Sequence, residues 1–157
     1  MASMEYPTPC MPLRHKKEES LRALPIFRES ENLVKTLLPK MGGMDKRYRH
    51  VLGEMISSKA TEIVSEVRYA AYTPNEGKIP HLDRILFLVE DITAWLDICA
   101  SMYLIGKKGR VGIYMALSSI QQQAFAWKRG TESRVKENKK RNDNGLNSKE
   151  EDLVYGV

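Results

Sequence analysis

Residues 46–69, KRYRHVLGEMISSKATEIVSEVRY, decide the fold class of this chain. Their apolar residues recur at helical spacing and form a stripe that extends just beyond the segment. It consists of Leu52, Met55, Ile56, Ala60, Ile63, Val64, Val67 and Ala71. Such spacing predicts a long amphipathic helix. Asp45 is a suitable N-cap for it, and we expect it to end near Tyr72.

Helix-breaking residues divide the neighbouring sequence into three further helices. Pro25 suits the first turn of helix one, which we expect to end at Gly42 and Gly43. Pro80 begins helix three, over about residues 81–105, and helix four ends at Gly130. Short links make consecutive helices antiparallel neighbours. The sequence therefore predicts an all-α fold, an antiparallel up-down four-helix bundle.

Composition predicts where this bundle begins and ends. Residues 1–20 contain three prolines and few apolar residues, so we expect a flexible arm. Residues 21–130 carry the helical pattern and form the bundle. Residues 131–157 hold six Lys/Arg and six Asp/Glu among polar residues, and we expect a charged, disordered C-terminal tail.

Charge and cysteine usage narrow the cellular setting and the partners. The 157 residues carry a formal net charge of +5 and a pI of about 9.2, which favours polyanionic partners. Cys10 and Cys99 form no CxxC pattern, so neither a disulfide framework nor a zinc site is expected. No signal peptide or membrane-spanning run is visible. We expect a cytoplasmic protein with no membrane partner.

Motifs for catalysis and for metal binding are missing from the sequence. A di-iron bundle needs Glu-x-x-His pairs on facing helices, and none occurs. The three histidines, His15, His50 and His81, lie near the arm or near helix starts. Nucleophile-elbow, phosphate-loop and dinucleotide-binding motifs are also absent. We therefore expect no enzyme activity, no catalytic residue, no cofactor and no metal.

Cations at the start of helix two stand at the helix end where the dipole disfavours positive charge. In an up-down bundle this start lies beside the ends of helices one and three. We therefore expect a basic pole formed by Lys40, Lys46, Arg47, Arg49, His50, Lys107, Lys108 and Arg110. A polyanion such as nucleic acid would bind there through phosphate contacts. The alternative is a solvated rim, or ion pairs with a neighbouring subunit.

Cations at the ends of helices three and four have a simpler explanation, because positive charge stabilises the C-terminal end of a helix dipole. This explanation applies to Lys107 and Lys108 at the end of helix three. It applies in the same way to Lys128 and Arg129 at the end of helix four. We retain all of them as candidates. The predicted nucleic-acid-binding residues are Lys46, Arg47, Arg49, Lys107, Lys108, Arg110, Lys128 and Arg129.

Helix three is apolar in every direction at residues 85–89, ILFLV. Its polar face narrows to a line of acids spaced seven apart, Asp83, Glu90 and Asp97. A helix that is hydrophobic all round is usually buried on more than one side. We therefore expect an oligomer interface, with Leu88, Trp95 and Tyr103 as candidates. The alternative is a somewhat apolar monomer surface.

Two long runs carry a resemblance to a known family. They are IFRESENLVKTLLPKMGGMDKRYRHVLGEMISSKATEIVSEVRYA at residues 26–70 and HLDRILFLVEDITAWLDICASMYLIGKKGRVGIYMALSSIQQQAFAWKR at residues 81–129. The matching features are LLPK ending the first helix, the basic-aromatic KRYR, and LGE before the long second helix. This pattern resembles the accessory variability determinant (Avd) family of diversity-generating retroelements. These four-helix-bundle proteins are related to bundle proteins encoded in intervening sequences of bacterial ribosomal RNA genes.

The resemblance implies a homopentameric barrel with a basic surface. It implies a non-catalytic subunit that binds a reverse transcriptase and its template RNA, and possible binding of the cDNA, during the error-prone synthesis of mutagenic retrohoming. Lys46, Arg47 and Arg49 match the basic start of the family's second helix. The arm and the tail depart from the compact family pattern. A ribosomal-RNA-associated protein, or a structural bundle whose basic pole docks an acidic protein, remains the alternative.

Overall fold

The computed structural model describes the backbone of residues 19–154 and the side chains of residues 19–144. This part of the chain is helical and contains no strand, which confirms the all-α prediction. A short helical segment at residues 19–23 precedes four long helices: α1 at Pro25–Gly42, α2 at residues 46–72, α3 at Lys78–Ser101 and α4 at Lys107–Val154. Residues 1–18 of the predicted arm lie outside the described residues.

The beginnings of α1 and α2 follow the predicted signals. Pro25 occupies the first turn of α1. Asp45 caps α2, because its carboxylate accepts a hydrogen bond from the backbone N–H of Arg47 at 3.0 Å. α2 itself is α-helical at Lys46–Tyr48, π-helical at Arg49–Gly53 and α-helical again at Glu54–Tyr72. The π turn was not expected from the sequence.

Ion pairs show that α2 and α3 run in opposite directions. Lys59 pairs with Asp91 at 2.6 Å, Glu62 with Arg84 at 2.7 Å and Glu66 with His81 at 2.7 Å. Residue numbers fall along α3 as they rise along α2, and the same holds for α3 and α4. Asp97 accepts a hydrogen bond from the Tyr114 hydroxyl, and Asp83 pairs with Lys128 at 2.6 Å.

The core lies between the four helices, and α4 also packs against α1. Its largest fully buried side chains are Leu33, Leu37, Met41, Met44, Ile56, Ile63, Leu82, Ile85, Leu88, Ile92, Leu96 and Ile113. α1 and α2 approach closely at Gly53, where a Cβ would lie 3.3 Å from the carbonyl oxygen of Met41. None of the helices in the described part of the chain has the length and apolarity that a membrane crossing demands.

Helix three ends earlier than predicted. The sequence indicated residue 105, but α3 ends at Ser101. Tyr103 adopts a left-handed backbone (φ 58°) and donates its N–H to Ala100 O, while Leu104 donates to Cys99 O at 2.9 Å. This is a Schellman stop with tyrosine at the position that glycine usually occupies. No glycine therefore marks the true end in the sequence.

The prediction that helix four ends at Gly130 is wrong. α4 continues through Gly130 to Val154, so residues 131–154, expected to be a disordered tail, are helical. Glycine ends a helix when it adopts the left-handed conformation, and none of the described glycines has a positive φ. Thr131 is buried beyond Gly130 and donates its hydroxyl to Trp127 O at 2.9 Å. Residues 155–157 lie outside the described residues.

Candidate nucleic-acid interface

The end of α1 lies directly against the start of α4. A Cβ on Gly109 would lie 2.8 Å from Lys40 Nζ, so the lysine side chain crosses the first turn of α4 where glycine leaves room for it. The start of α2 follows α1 after a three-residue link, and α4 follows α3 after five residues. Four helix ends therefore bring the residues predicted for the basic pole to one end of the molecule.

Most cations of the basic pole are exposed. Lys46, Arg47, Lys107 and Lys108 all lie at the surface. Among the described side chains, none of these four takes part in an ion pair. Among the described side chains, the ion pair at this end joins His50 and Glu54, at 2.9 Å. The pole therefore carries positive charge that neighbouring acids leave uncompensated.

Arg49 has a structural contact that the sequence did not reveal. Its Nε and Nη2 donate to the carbonyl oxygen of Met44, at 3.3 and 3.1 Å. Because Met44 lies in the link before α2, this side chain braces the link against the π turn. The side chain also lines a groove between α1 and α2, beside Leu38 and Ser57. Arg49 is thus less available to a partner than Arg47.

Arg110 differs from the other cations of the pole because its Nε is buried. Within the described residues this N–H has no hydrogen-bond partner. A buried donor without a partner costs free energy, and an incoming acceptor would recover it. The first turn of α4 carries no acidic residue. Arg110 therefore adds a buried, unpaired donor to the first turn of α4, the turn that the Lys40 side chain crosses.

Lys128 and Arg129 lie at the opposite end of the molecule. About 30 Å of helix separates them from Lys108. Lys128 pairs with Asp83 at 2.6 Å, and the hydrogen bond to Asp83 raises the pKa of the Lys128 ammonium. Because α4 continues beyond them, they do not stand at its C-terminal end, and the explanation by the helix dipole is wrong. The eight predicted residues therefore form two separate groups.

The three predicted interface residues have different surroundings. Leu88 is fully buried in the core of its own chain, so its assignment to an interface with another subunit is wrong. Trp95 is half-buried and packs against the same core. Tyr103 is 95% exposed. Within residues 85–89 the outward position is taken by Phe87, which is 54% exposed.

Exposed apolar side chains occur on α3, on the link after it and on α4. We call this the outer face, and it consists of Phe87, Ile98, Met102, Tyr103, Val111, Met115 and Phe125. The acids of the line on α3 are exposed, and two of them also contact α4: Asp83 binds Lys128 and Asp97 binds Tyr114. These two contacts between α3 and α4 were not predicted from the sequence. A signal was present, because Tyr114 and Lys128 are fourteen residues apart, as are Asp83 and Asp97.

Tyr114 and Cys99 also have shifted pKa values. Burial, with the hydrogen bond to Asp97, raises the pKa of Tyr114 to about 12. Burial also raises the pKa of the Cys99 thiol, which makes it a poor nucleophile. Among the described residues no group of three His, Cys, Asp or Glu side chains could hold a metal ion. Cys10 and His15 lie outside those residues.

Comparison of the chain with protein-family models, with curated proteins and with solved structures finds no match.

Proposed function

We propose that this protein is a non-catalytic accessory subunit of a diversity-generating retroelement, of the accessory variability determinant type. In this role it binds the reverse transcriptase, the template RNA and the cDNA in the cytoplasm. Its four long helices form an antiparallel up-down bundle, and five copies assemble into a barrel. The observation that carries the proposal is the uncompensated positive charge of the basic pole, joined to the resemblance in residues 26–129.

The start of α4 has the chemistry of a phosphate site. Backbone N–H groups at a helix N-terminus favour anions, and here the Lys40 side chain crosses the first turn, whose first two residues are the exposed Lys107 and Lys108. Phosphate contacts carry no information about base sequence. We therefore expect affinity for RNA and DNA with little sequence preference, as a subunit that handles both template and product requires.

The outer face supports the assembly into a ring. Seven exposed apolar side chains lie on α3, on the link that follows it and on α4, and exposed apolar side chains of this kind are used in protein–protein contacts. Repetition of the basic pole around a ring would multiply phosphate contacts on one nucleic acid, and the avidity would exceed the affinity of a single subunit.

Removal of charge from the basic pole tests the binding role. The pole variant is K46Q, R47Q, K107Q and K108Q, and Arg49 is left intact because it braces the α1–α2 link. We expect binding of RNA and of duplex DNA to weaken about equally for unrelated sequences. Plots of log affinity against log salt concentration should become shallower, by roughly 0.7–0.9 for each lost phosphate contact.

A matched control removes four exposed cations elsewhere, as R22Q, R28Q, K35Q and R68Q. This control has the same net charge as the pole variant, so a general loss of charge would affect both equally. Equal affinities of the two variants would overturn the binding role of the pole. If the protein belongs to a retroelement, a reverse transcriptase gene with paired template and variable repeats lies beside its gene. A genomic neighbourhood without them would overturn the assignment to a retroelement.

A further inference from the structure

The second half of α4 contains a strongly basic stretch. Residues 128–141, KRGTESRVKENKKR, hold seven Lys/Arg and two Glu, a formal charge of +5. This equals the net charge of the whole chain, so the remaining residues balance to zero. Sequence reasoning assigned most of this stretch to a disordered tail, whereas the structure presents it on one continuous helix. We call residues 128–141 the basic stretch of α4.

Five of the seven cations in the basic stretch are exposed and lack an ion pair among the described side chains. Lys128 pairs with Asp83 and Glu132, and Lys139 pairs with Glu76 at 3.5 Å. The other five are Arg129, Arg134, Lys136, Lys140 and Arg141. Of these, Arg134 uses its Nε for Gly130 O, a backbone contact that leaves its charge uncompensated.

The basic stretch is not a self-compensated surface helix. A polar helix in solvent is commonly stabilised by ion pairs four residues apart. Glu132 and Lys136 have this spacing, as do Glu137 and Arg141. Neither pair meets within the 4.0 Å at which Lys128 and Glu132 pair, so five of the seven cations have no ion pair among the described side chains. The charge is therefore presented to a partner.

The composition of the surface indicates the class of that partner. Binding to a membrane surface requires an apolar face, but Val135 is the only apolar residue between Glu132 and Asn144, and it is half-buried. Protein interfaces are enriched in aromatic residues and depleted of lysine in their cores. Interfaces with nucleic acid are more polar and much more positively charged. The surface fits the last of these.

The spacing of the cations also fits a nucleic acid. Arg129, Lys136 and Lys140 follow one side of α4 at intervals of seven and four residues, about 10 and 6 Å along the helix. Duplex DNA presents a phosphate charge about every 1.7 Å along its axis, so such a row meets phosphates in any register.

We propose that the basic stretch of α4 binds the phosphodiester backbone of a nucleic acid, as a second surface separate from the basic pole. It lies about 30–50 Å from Lys108 along α4. The inference rests on the proposed function for the class of ligand, and it extends the predicted contacts Lys128 and Arg129 to the residues that follow them on α4, at the other end of the molecule from the basic pole. One nucleic acid long enough to touch both surfaces is held at two points, which raises its affinity above that of either surface alone.

Glutamine substitutions in the full-length protein test the second surface. The stretch variant is R134Q, K136Q, K140Q and R141Q, with exposed positions and a residue that maintains helix. The probes are duplex DNA and single-stranded RNA of equal length, titrated over a range of salt. For at least one probe we expect roughly tenfold weaker binding at low salt and a salt slope smaller by about two to three. The probe that loses more identifies the preferred nucleic acid.

Two comparisons decide the outcome. The control E132Q with E137Q changes two residues of the same stretch but removes acids, and it should bind as tightly as the unmodified protein or more tightly. Unchanged affinity and slope of the stretch variant with both probes would overturn the inference. A loss in the stretch variant alone supports the second surface while refuting the basic pole, and a loss in the pole variant alone does the reverse. If polyglutamate displaced the bound probe as effectively as unlabelled nucleic acid does, the assignment to nucleic acid would also be overturned.

Discussion

Tyr103 has a backbone conformation that its residue type does not predict. It ends α3 with φ 58°, and 95% of its surface is exposed. Contacts of its side chain within its own chain therefore do not offset the free-energy cost of the left-handed backbone. That conformation costs a non-glycine residue about 1–2 kcal/mol. We therefore expect Y103G to raise the free energy of unfolding by about 1 kcal/mol, measured by chemical denaturation at a concentration where the protein is monomeric.

The same substitution separates the two roles of Tyr103. Y103N retains a residue that tolerates the left-handed conformation, and should also be at least as stable as the original. If the ring packs against a neighbouring subunit, both variants will assemble less well although neither is less stable. A Y103G protein that is clearly less stable as a monomer would show that the ring contributes more to the fold than its exposure indicates.

α4 is the element for which the structure differs most from the sequence-based prediction, and Gly130 tests the difference. In a continuous helix, alanine at this position is favoured by about 0.5–1 kcal/mol. A Cβ there would have Arg134 Nη2 as its nearest contact, at 3.9 Å, so nothing opposes it. We expect G130A to raise the melting temperature and the helical circular dichroism signal.

Gly112 provides the control, because it lies inside α4 with nothing within 4 Å of its Cβ position. G112A should stabilise the protein whether or not α4 continues past residue 130. If Gly130 instead ended the helix in the left-handed conformation, G130A would be destabilising while G112A was not. That result would restore the shorter helix four.

At the scale of the whole molecule, neighbouring residues of α3 separate folding from assembly. Leu88 is fully buried, and L88A should lower the free energy of unfolding by about 2–5 kcal/mol. Phe87 is 54% exposed and belongs to the outer face. F87S should change monomer stability by only about 0.5 kcal/mol, as is usual for surface positions. Light scattering should nevertheless show weaker self-association of F87S.

A third variant controls for effects that any surface substitution has on stability or self-association. T61S changes an exposed side chain on α2, away from the outer face, and should leave both stability and assembly unaltered. If F87S and the unmodified protein have the same mass distribution at every concentration, the outer face is not the assembly surface. A monomeric unmodified protein at micromolar concentration would refute the ring itself.

The sequence by itself determined the features that depend on neighbours along the chain. The apolar stripe of α2 predicted a long helix, and its spacing needs no tertiary contact to be read. Asp45 as N-cap and Pro25 in a first helical turn act on backbone groups within three residues of themselves. Such local signals made the all-α fold and the beginnings of α1 and α2 predictable.

Only the tertiary structure decided which residues were available to a partner. Leu88 and Phe87 are both apolar and adjacent, and the packing of α3 against the other helices determines which one is buried. Lys128 is held by Asp83, which lies 45 residues earlier in the chain. Gly130 does not end α4, and Thr131 directly after it is buried in the fold. Burial and ion pairing depend on residues distant in sequence, and no local pattern contains that information.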